Sequence, residues 1–179
     1  MYFPLLRNLS KYQIEPVAIN LLDSWLAIQR SAILRNLSPL RFSVQSGIDV
    51  DLAIDMFALS SSSDIPVLKP IYKVLCPNCD GVHQNVYIDS EIPQHTINCR
   101  FCEYEFIPIN RQDYIEIVFE RILTPAKSIH PTSSTTSFEH RVGNVGKSDS
   151  LRASDINKNS NHARRLLFDA LDSRYEAAQ

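Results

Sequence analysis

The chain has 179 residues, 44% of them hydrophobic and 21% charged, with a formal net charge of -2. That length and composition allow one domain or two small ones around a modest core. Residues 1–124 hold 10 Lys/Arg against 14 Asp/Glu and residues 125–179 hold 8 against 6, so the body is acidic and lacks the clustered cations that dense phosphate binding requires.

Met1 to Leu6 is apolar but is cut short by Arg7, too brief for a signal-peptide core, and no run approaches the ~18 apolar residues of a membrane span. Pro16 opens the first helical pattern, with Val17, Leu21, Leu22, Trp25, Leu26, Ala32 and Ile33 recurring on one face; proline suits the first helical position. Ser38-Pro39 starts a second helix that Gly47 can stop, and Asp49 can cap a third through about Leu59. Leu52, Ala53, Met56 and Phe57 are the expected buried stripe of this third helix, leaving Asp51, Ile54, Asp55 and Ala58 outward. Ser60 to Asp64 reads as a loop. Pro66 to Leu75 reads as edge-strand material, with Pro70 where no ladder donor is needed.

Short strands are expected at 71–75, 86–88, 96–98 and 104–109. Tyr114 to Ile122 follows, where Ile115, Ile117 and Phe119 alternate with Glu116, Val118 and Glu120. This alternation of β-branched and polar residues favours a strand, with a helix as the alternative. From Pro125 to Asn159 Ser, Thr, Asn, Gly and Pro dominate and large apolar residues have no period. Such a stretch buries too little surface to offset its ordering entropy and is expected to be a disordered, flexible linker. The chain then closes in an amphipathic helix over 160–179, with Ala163, Leu166, Leu167, Ala170, Leu171 and Tyr175 on one stripe. This helix folds back on the body or docks in a partner groove, through Leu166, Leu167, Leu171 and Tyr175.

Helices followed by a strand over residues 8–75 resemble a winged helix-turn-helix domain. The expected organisation is therefore α+β, with a winged-helix-like domain at 8–75, a small β module at 71–124, a linker at 125–159 and a C-terminal helix at 160–179.

All four cysteines lie in two C-x2-C pairs separated by the 19 residues Asp80 to Asn98. In a chain with no secretory signal this pattern reads as metal binding in a reducing, cytoplasmic setting. Each C-x-x-C turn aims two sulfurs at one point, so Cys76, Cys79, Cys99 and Cys102 are expected to hold one structural zinc in a tetrahedron at roughly 2.3 Å. The segments Cys76-Pro77-Asn78-Cys79-Asp80-Gly81 and Cys99-Arg100-Phe101-Cys102 resemble the zinc-ribbon family. They depart from it where many ribbons have glycine after each second cysteine, since Asp80 and Glu103 stand there. His83 and His95 are expected to be surface or turn residues.

Four thiolates fill zinc's coordination and leave no position for a hydroxide nucleophile. Neither His83-Gln84-Asn85 nor His95-Thr96-Ile97 gives the H-x-E of zinc deaminases. With only four glycines there is little room for a nucleotide-binding loop, and an enzyme is not expected. Two functions are weighed. In an adaptor, the acidic body binds other proteins and takes no small-molecule substrate. In a DNA-binding regulator, the third helix enters the major groove and Lys69, Lys73 and Arg100 meet phosphate, with Phe101 and Tyr104 available to stack on single strands. No Lys or Arg lies between Gly47 and Pro66, which disfavours the second. The paired resemblance implies a place in transcription machinery or in a multi-component bacterial system such as a defence operon, without choosing between them.

Overall fold

The computed structural model describes residues 1–87, 92–93, 95–127, 150–157 and 161–167. It mixes helices with small antiparallel sheets and separates into two compact units, each built from two stretches of chain. The described residues of the first unit are 1–69 and 119–127, and those of the second are 70–87, 92–93, 95–118, 150–157 and 161–167. The division falls inside two strands, whereas the sequence reading draws consecutive blocks.

The first unit begins where the sequence pattern marks no element. Pro4–Tyr12 is a 3-10 helix with Leu6 and Leu9 buried. Nine residues are long for this helix type, whose hydrogen-bond geometry is poor, and a buried carboxylate holds its entry. Asp23, 3% exposed, accepts from the Tyr2 N–H at 3.0 and 2.7 Å and from the Phe3 N–H at 2.7 Å. Hydrogen bonds to an ionised group are worth about 1.5–3 kcal/mol each. Asp23→Asn replaces one acceptor oxygen with a competing donor, so it is expected to destabilise the chain by about 2 kcal/mol. A urea midpoint equal to wild type would contradict this role.

Asp23 belongs to helix α1, Pro16–Ala27, which starts on its proline as expected. Its buried face is Ala18, Ile19, Leu22, Trp25 and Leu26 with Asp23 among them. Val17 and Ala32, placed on the buried stripe by the sequence pattern, are exposed, and the helix stops before Ser31–Ile33, a separate 3-10 turn. The face is turned toward Asp23 because that side chain has amides to meet. Helix α2, Pro39–Ser46, is capped by the Ser38 hydroxyl, which accepts from Arg41 N–H, and ends on Gly47 at φ 73°, the left-handed region where a side chain would strain the backbone. Helix α3, Val50–Leu59, is capped by Asp49, whose Oδ1 accepts from the Asp51 and Leu52 amides at 2.9 and 3.1 Å.

The core of this unit is aromatic. The rings of Trp25, Phe42, Phe57 and Phe119 meet with centroids 5.2 to 6.0 Å apart, mostly edge to face, the geometry that ring quadrupoles favour. Trp25 Nε1–H donates to Gln45 Oε1 at 2.7 Å, so its one polar atom is satisfied. Leu37 and Phe119 exchange backbone hydrogen bonds at 2.9 and 2.8 Å. The expected outward face of α3 is corrected here: Ile54 is 5% exposed and Ala58 0%. Both are apolar, and a helix packed on more than one side buries them.

Strand β1, Leu68–Leu75, is hydrogen-bonded to β2, Val82–Tyr87, and to β5, Ile115–Arg121, giving the order β2-β1-β5. The expected edge strand is thus central. Pro70 is tolerated because the pairing with β2 starts only at Tyr72 opposite Tyr87, leaving the missing N–H outside that ladder. Residues 115–121 form a strand, as the alternation favoured. Strands β3, Ile97–Asn98, and β4, Glu105–Phe106, pair as a separate short hairpin.

Within the expected linker, residues 150–157 behave otherwise. Leu151, Ala153 and Ile156 are buried, Leu151 O accepts from Ile117 N–H at 2.8 Å, and α4, Ala153–Asn157, follows. Composition could not show that the edge of β5 offers backbone partners to a few apolar residues. Residues 128–149 and 158–159 of the expected linker lie outside the described residues. The last described helix, α5, spans 162–167, with Asn161 Oδ1 accepting from Arg164 N–H at 3.0 Å as an N-cap does.

Candidate metal centre

The two C-x-x-C segments fold into matching knuckles. In the first, Cys76 N–H donates to Gly81 O at 2.9 Å and Asp80 N–H to Cys76 O at 2.9 Å; in the second, Cys99 N–H donates to Tyr104 O at 2.9 Å and Glu103 N–H to Cys99 O at 2.8 Å. The turn demands a left-handed residue after each second cysteine, and Asp80 and Glu103 adopt φ 54° and 57°. The departure from the glycine pattern therefore changes the side chain but not the backbone, at a cost of roughly 1–2 kcal/mol per residue.

The sulfurs receive backbone N–H groups in the same order in each knuckle. Cys76 Sγ accepts from Asn78 at 3.4 Å, Cys99 Sγ from Phe101 at 3.4 Å. Cys79 and Cys102 N–H groups add to these two sulfurs, while Gly81 and Tyr104 donate to Cys79 and Cys102. Cys76 Sγ lies 3.6 Å from Cys102 Sγ, and Cys79 Sγ 3.7 Å from Cys99 Sγ. All four sulfurs fall within 4.8 Å of one another. Disulfide sulfurs sit about 2.05 Å apart, so these are four separate thiols. Sulfurs about 2.3 Å from one tetrahedral centre are spaced by about 3.8 Å, close to what is found. The four cysteines are positioned to coordinate one metal ion, as their spacing implied.

Their ionisation is divided. Burial pushes the Cys76 thiol above its ordinary value. At Cys79 the Gly81 N–H pulls down, but burial and the three neighbouring sulfurs raise it to about 12. The Phe101 N–H lowers Cys99. The side-chain amide of Asn78, then the Tyr104 N–H, bring Cys102 down to about 6. A metal binds the thiolate, so protons compete with it and affinity falls as pH falls. At pH 7 Cys76 and Cys79 carry protons in the metal-free chain and Cys102 has lost its own. Metal uptake there is expected to release at least those two, and a further proton from Cys102 once pH drops below about 6. Calorimetry in buffers of different ionisation enthalpy counts them; no release at pH 7 would contradict this division.

The remaining candidate residues are placed as follows. His95 is exposed and outside the sulfur cluster. His83 lies in β2. Lys73 Nζ sits 3.7 Å from Glu116 Oε2, Lys69 is half-buried in β1 with a contact of its own, and the Arg100 guanidinium lies over the Phe101 ring at 4.6 Å. Leu167 is 1% exposed, its carbonyl accepting from the Tyr72 hydroxyl at 3.4 Å, and Leu166 is half-buried. This much of the terminal helix therefore packs in cis, burying Ala163 and Leu167. Leu171 and Tyr175 lie outside the described residues. Sequence reasoning missed Asn78 and Gly81 as parts of the centre's surroundings beyond the turn itself; only their position inside the C-x-x-C-x-G run marked them.

Compared with protein-family models, with curated proteins and with solved structures, the chain matches none.

Proposed function

We propose that this chain is a zinc-stabilised adaptor, a protein that binds other proteins and catalyses nothing itself. The observation that carries the reading is the closed set of four sulfurs. One zinc held by Cys76, Cys79, Cys99 and Cys102 has every tetrahedral position taken by protein, so it supplies rigidity and leaves no site for water or substrate. Zinc is favoured over other ions because an all-thiolate tetrahedron is its habitual structural site. Thiolates persist in a reducing compartment, and no helix among the described residues is long and apolar enough to cross a membrane; the cytoplasm is the setting that fits.

Against the alternative of a winged-helix, zinc-ribbon DNA regulator stands α3. With Ile54 and Ala58 buried, Asp51 and Asp55 are the polar groups left on the face proposed to read bases, and carboxylates repel a phosphate-lined groove. Lys73, one of the cations available to that reading, is paired with Glu116. In favour of protein binding stands Phe101, 60% exposed on the second knuckle, since a large aromatic fixed at the surface is a common anchor of protein interfaces. Fluorescence anisotropy with mixed-sequence duplex DNA separates the readings. The adaptor binds negligibly near physiological salt; a regulator binds with an affinity that falls steeply as salt rises, and that result would overturn the proposal.

A further inference from the structure

The negative charge of the chain is concentrated in one stretch. From Cys76 to Phe106 the sequence carries five Asp/Glu against one basic residue, Arg100, a formal charge of -4. The rest of residues 1–124 holds nine Lys/Arg and nine Asp/Glu. The whole acidic surplus of the body therefore falls in the 31 residues from the first cysteine to the end of β4. A zinc ion bound there by four thiolates brings two positive charges against four negative ones and deepens the surplus. Asp80, Glu103 and Glu105, the acids of this stretch among the described residues, are all exposed. Two large side chains stand with them, Phe101 at 60% and Tyr104 at 39% exposure. Glu103 and Glu105 flank Tyr104 in the chain, and Asp80 precedes Gly81, where an added Cβ would meet Phe101 Cδ2 at 2.7 Å. Both rings are held in place. Tyr104 is stacked on buried Phe106, with centroids 6.3 Å apart and planes at 25°, and the Arg100 guanidinium lies 4.6 Å over Phe101.

We propose that Phe101 and Tyr104, rimmed by Asp80, Glu103 and Glu105, form the docking surface of the adaptor, and that its partner is a cationic protein segment in which Lys or Arg side chains surround a large apolar residue. This names the partner class of the adaptor reading and rests on that reading. Charge decides the occupant: the carboxylates favour cations across an interface and suppress partners of like charge, whereas a nucleic acid brings its phosphates to an acidic face. The apolar residue supplies what charge alone does not. It covers two rings that are already fixed, so little side-chain freedom is lost on binding, and the stems of the partner's Lys or Arg lie along the same rings while their heads reach the rim. Arg100 is the one cation on this face, and three carboxylates outnumber it.

The test measures fluorescence anisotropy of three labelled synthetic peptides with the full zinc-loaded chain. One is rich in Lys and Arg around a central Trp-Leu pair, the second has Ser in place of that pair, and the third has Glu in place of every cation. The first is expected to bind at least about tenfold more tightly than either of the others, with an affinity that falls as salt rises. Phe101→Ala is expected to weaken the first peptide about tenfold and to leave the second unchanged. Glu103→Lys combined with Glu105→Lys weakens both cationic peptides. Asp64→Lys, at an acid exposed elsewhere in the chain, weakens neither. Each variant is scored only with wild-type zinc content and urea midpoint, and Phe101→Tyr, which keeps a ring, is expected to restore the tight binding that Phe101→Ala loses. Equal affinity of wild type and Phe101→Ala for the first peptide, or preference for the acidic peptide, would overturn the assignment. So would a dimer of the chain that Phe101→Ala dissolves, which gives the face to a second copy. If no peptide binds, this partner class falls and the adaptor reading stands; salt-sensitive binding of duplex DNA removes the adaptor reading itself.

Discussion

Cys99→Ser is expected to strip the chain of its metal and to unfold both knuckles, together with the β3–β4 hairpin. Cys99 is buried and its sulfur accepts two backbone N–H groups, so serine leaves those donors facing a poorer acceptor and leaves the proposed zinc with three sulfurs. The strands that the second knuckle joins are two residues each, far too little to fold alone. Phe106 is buried beside them, but one ring contributes only about 2–3 kcal/mol. Structural zinc in small domains supplies roughly 10–16 kcal/mol of apparent binding free energy at neutral pH, which dominates any local packing. The expected readout is loss of metal by elemental analysis, with loss of amide protection at Glu103 and Cys99, whose backbone bonds close the second knuckle. A strong chelator under reducing conditions should do the same to wild type. A serine variant that keeps stoichiometric metal and full protection would remove the structural role assigned to the site.

The second large effect is expected in the other unit. Phe57→Ala removes the ring that touches Trp25, Phe42 and Phe119 at once, from a position with no solvent exposure. Phenylalanine-to-alanine changes in cores cost about 3–5 kcal/mol, because the cavity only partly collapses. Three aromatic neighbours of fixed shape leave little room for collapse, so the upper part of that range is expected. Trp25 is the chain's one tryptophan and its ring centre lies 6.0 Å from that of Phe57, which makes its fluorescence a local reporter. A red-shifted emission and a urea midpoint lowered in proportion are the expected results. A cost below about 1 kcal/mol would show that the cluster is not the core of that unit.

What could be read from the chain alone follows from how local each signal is. The caps Ser38, Gly47 and Asp49 act within a few residues, and all three stand where the sequence placed them. The four clustered cysteines are equally local, since each C-x-x-C turn aims its own sulfurs. Asp23 was not legible, because its partners are amides 20 and 21 residues away and an aspartate inside a helix reads as solvated. The same limit hid the burial of Ile54 and Ala58, which depends on what packs against α3 from elsewhere. It also made β1 look like an edge, since proline forbids a donor and says nothing of which part of a central strand goes unpaired. Residues 150–157 lacked period, yet a strand edge gave them a place. Around the candidate metal centre, the close approach of Phe101 to Gly81 connects residues 20 apart in sequence, and no spacing rule encodes it.

The side chains carried at positive φ have a last consequence. Asp80 and Glu103 each hold a backbone shape that glycine would take freely, and each donates the amide that closes its turn. While the sulfurs are gathered on one ion, that torsional tension is confined. Once the ion departs, these two links are where the loops relax first, so amide exchange at Asp80 and Glu103 should quicken ahead of the rest of the two knuckles. The loops thus come apart at the point where they are wound tightest, and reassembly has to rewind both before a new ion is gripped.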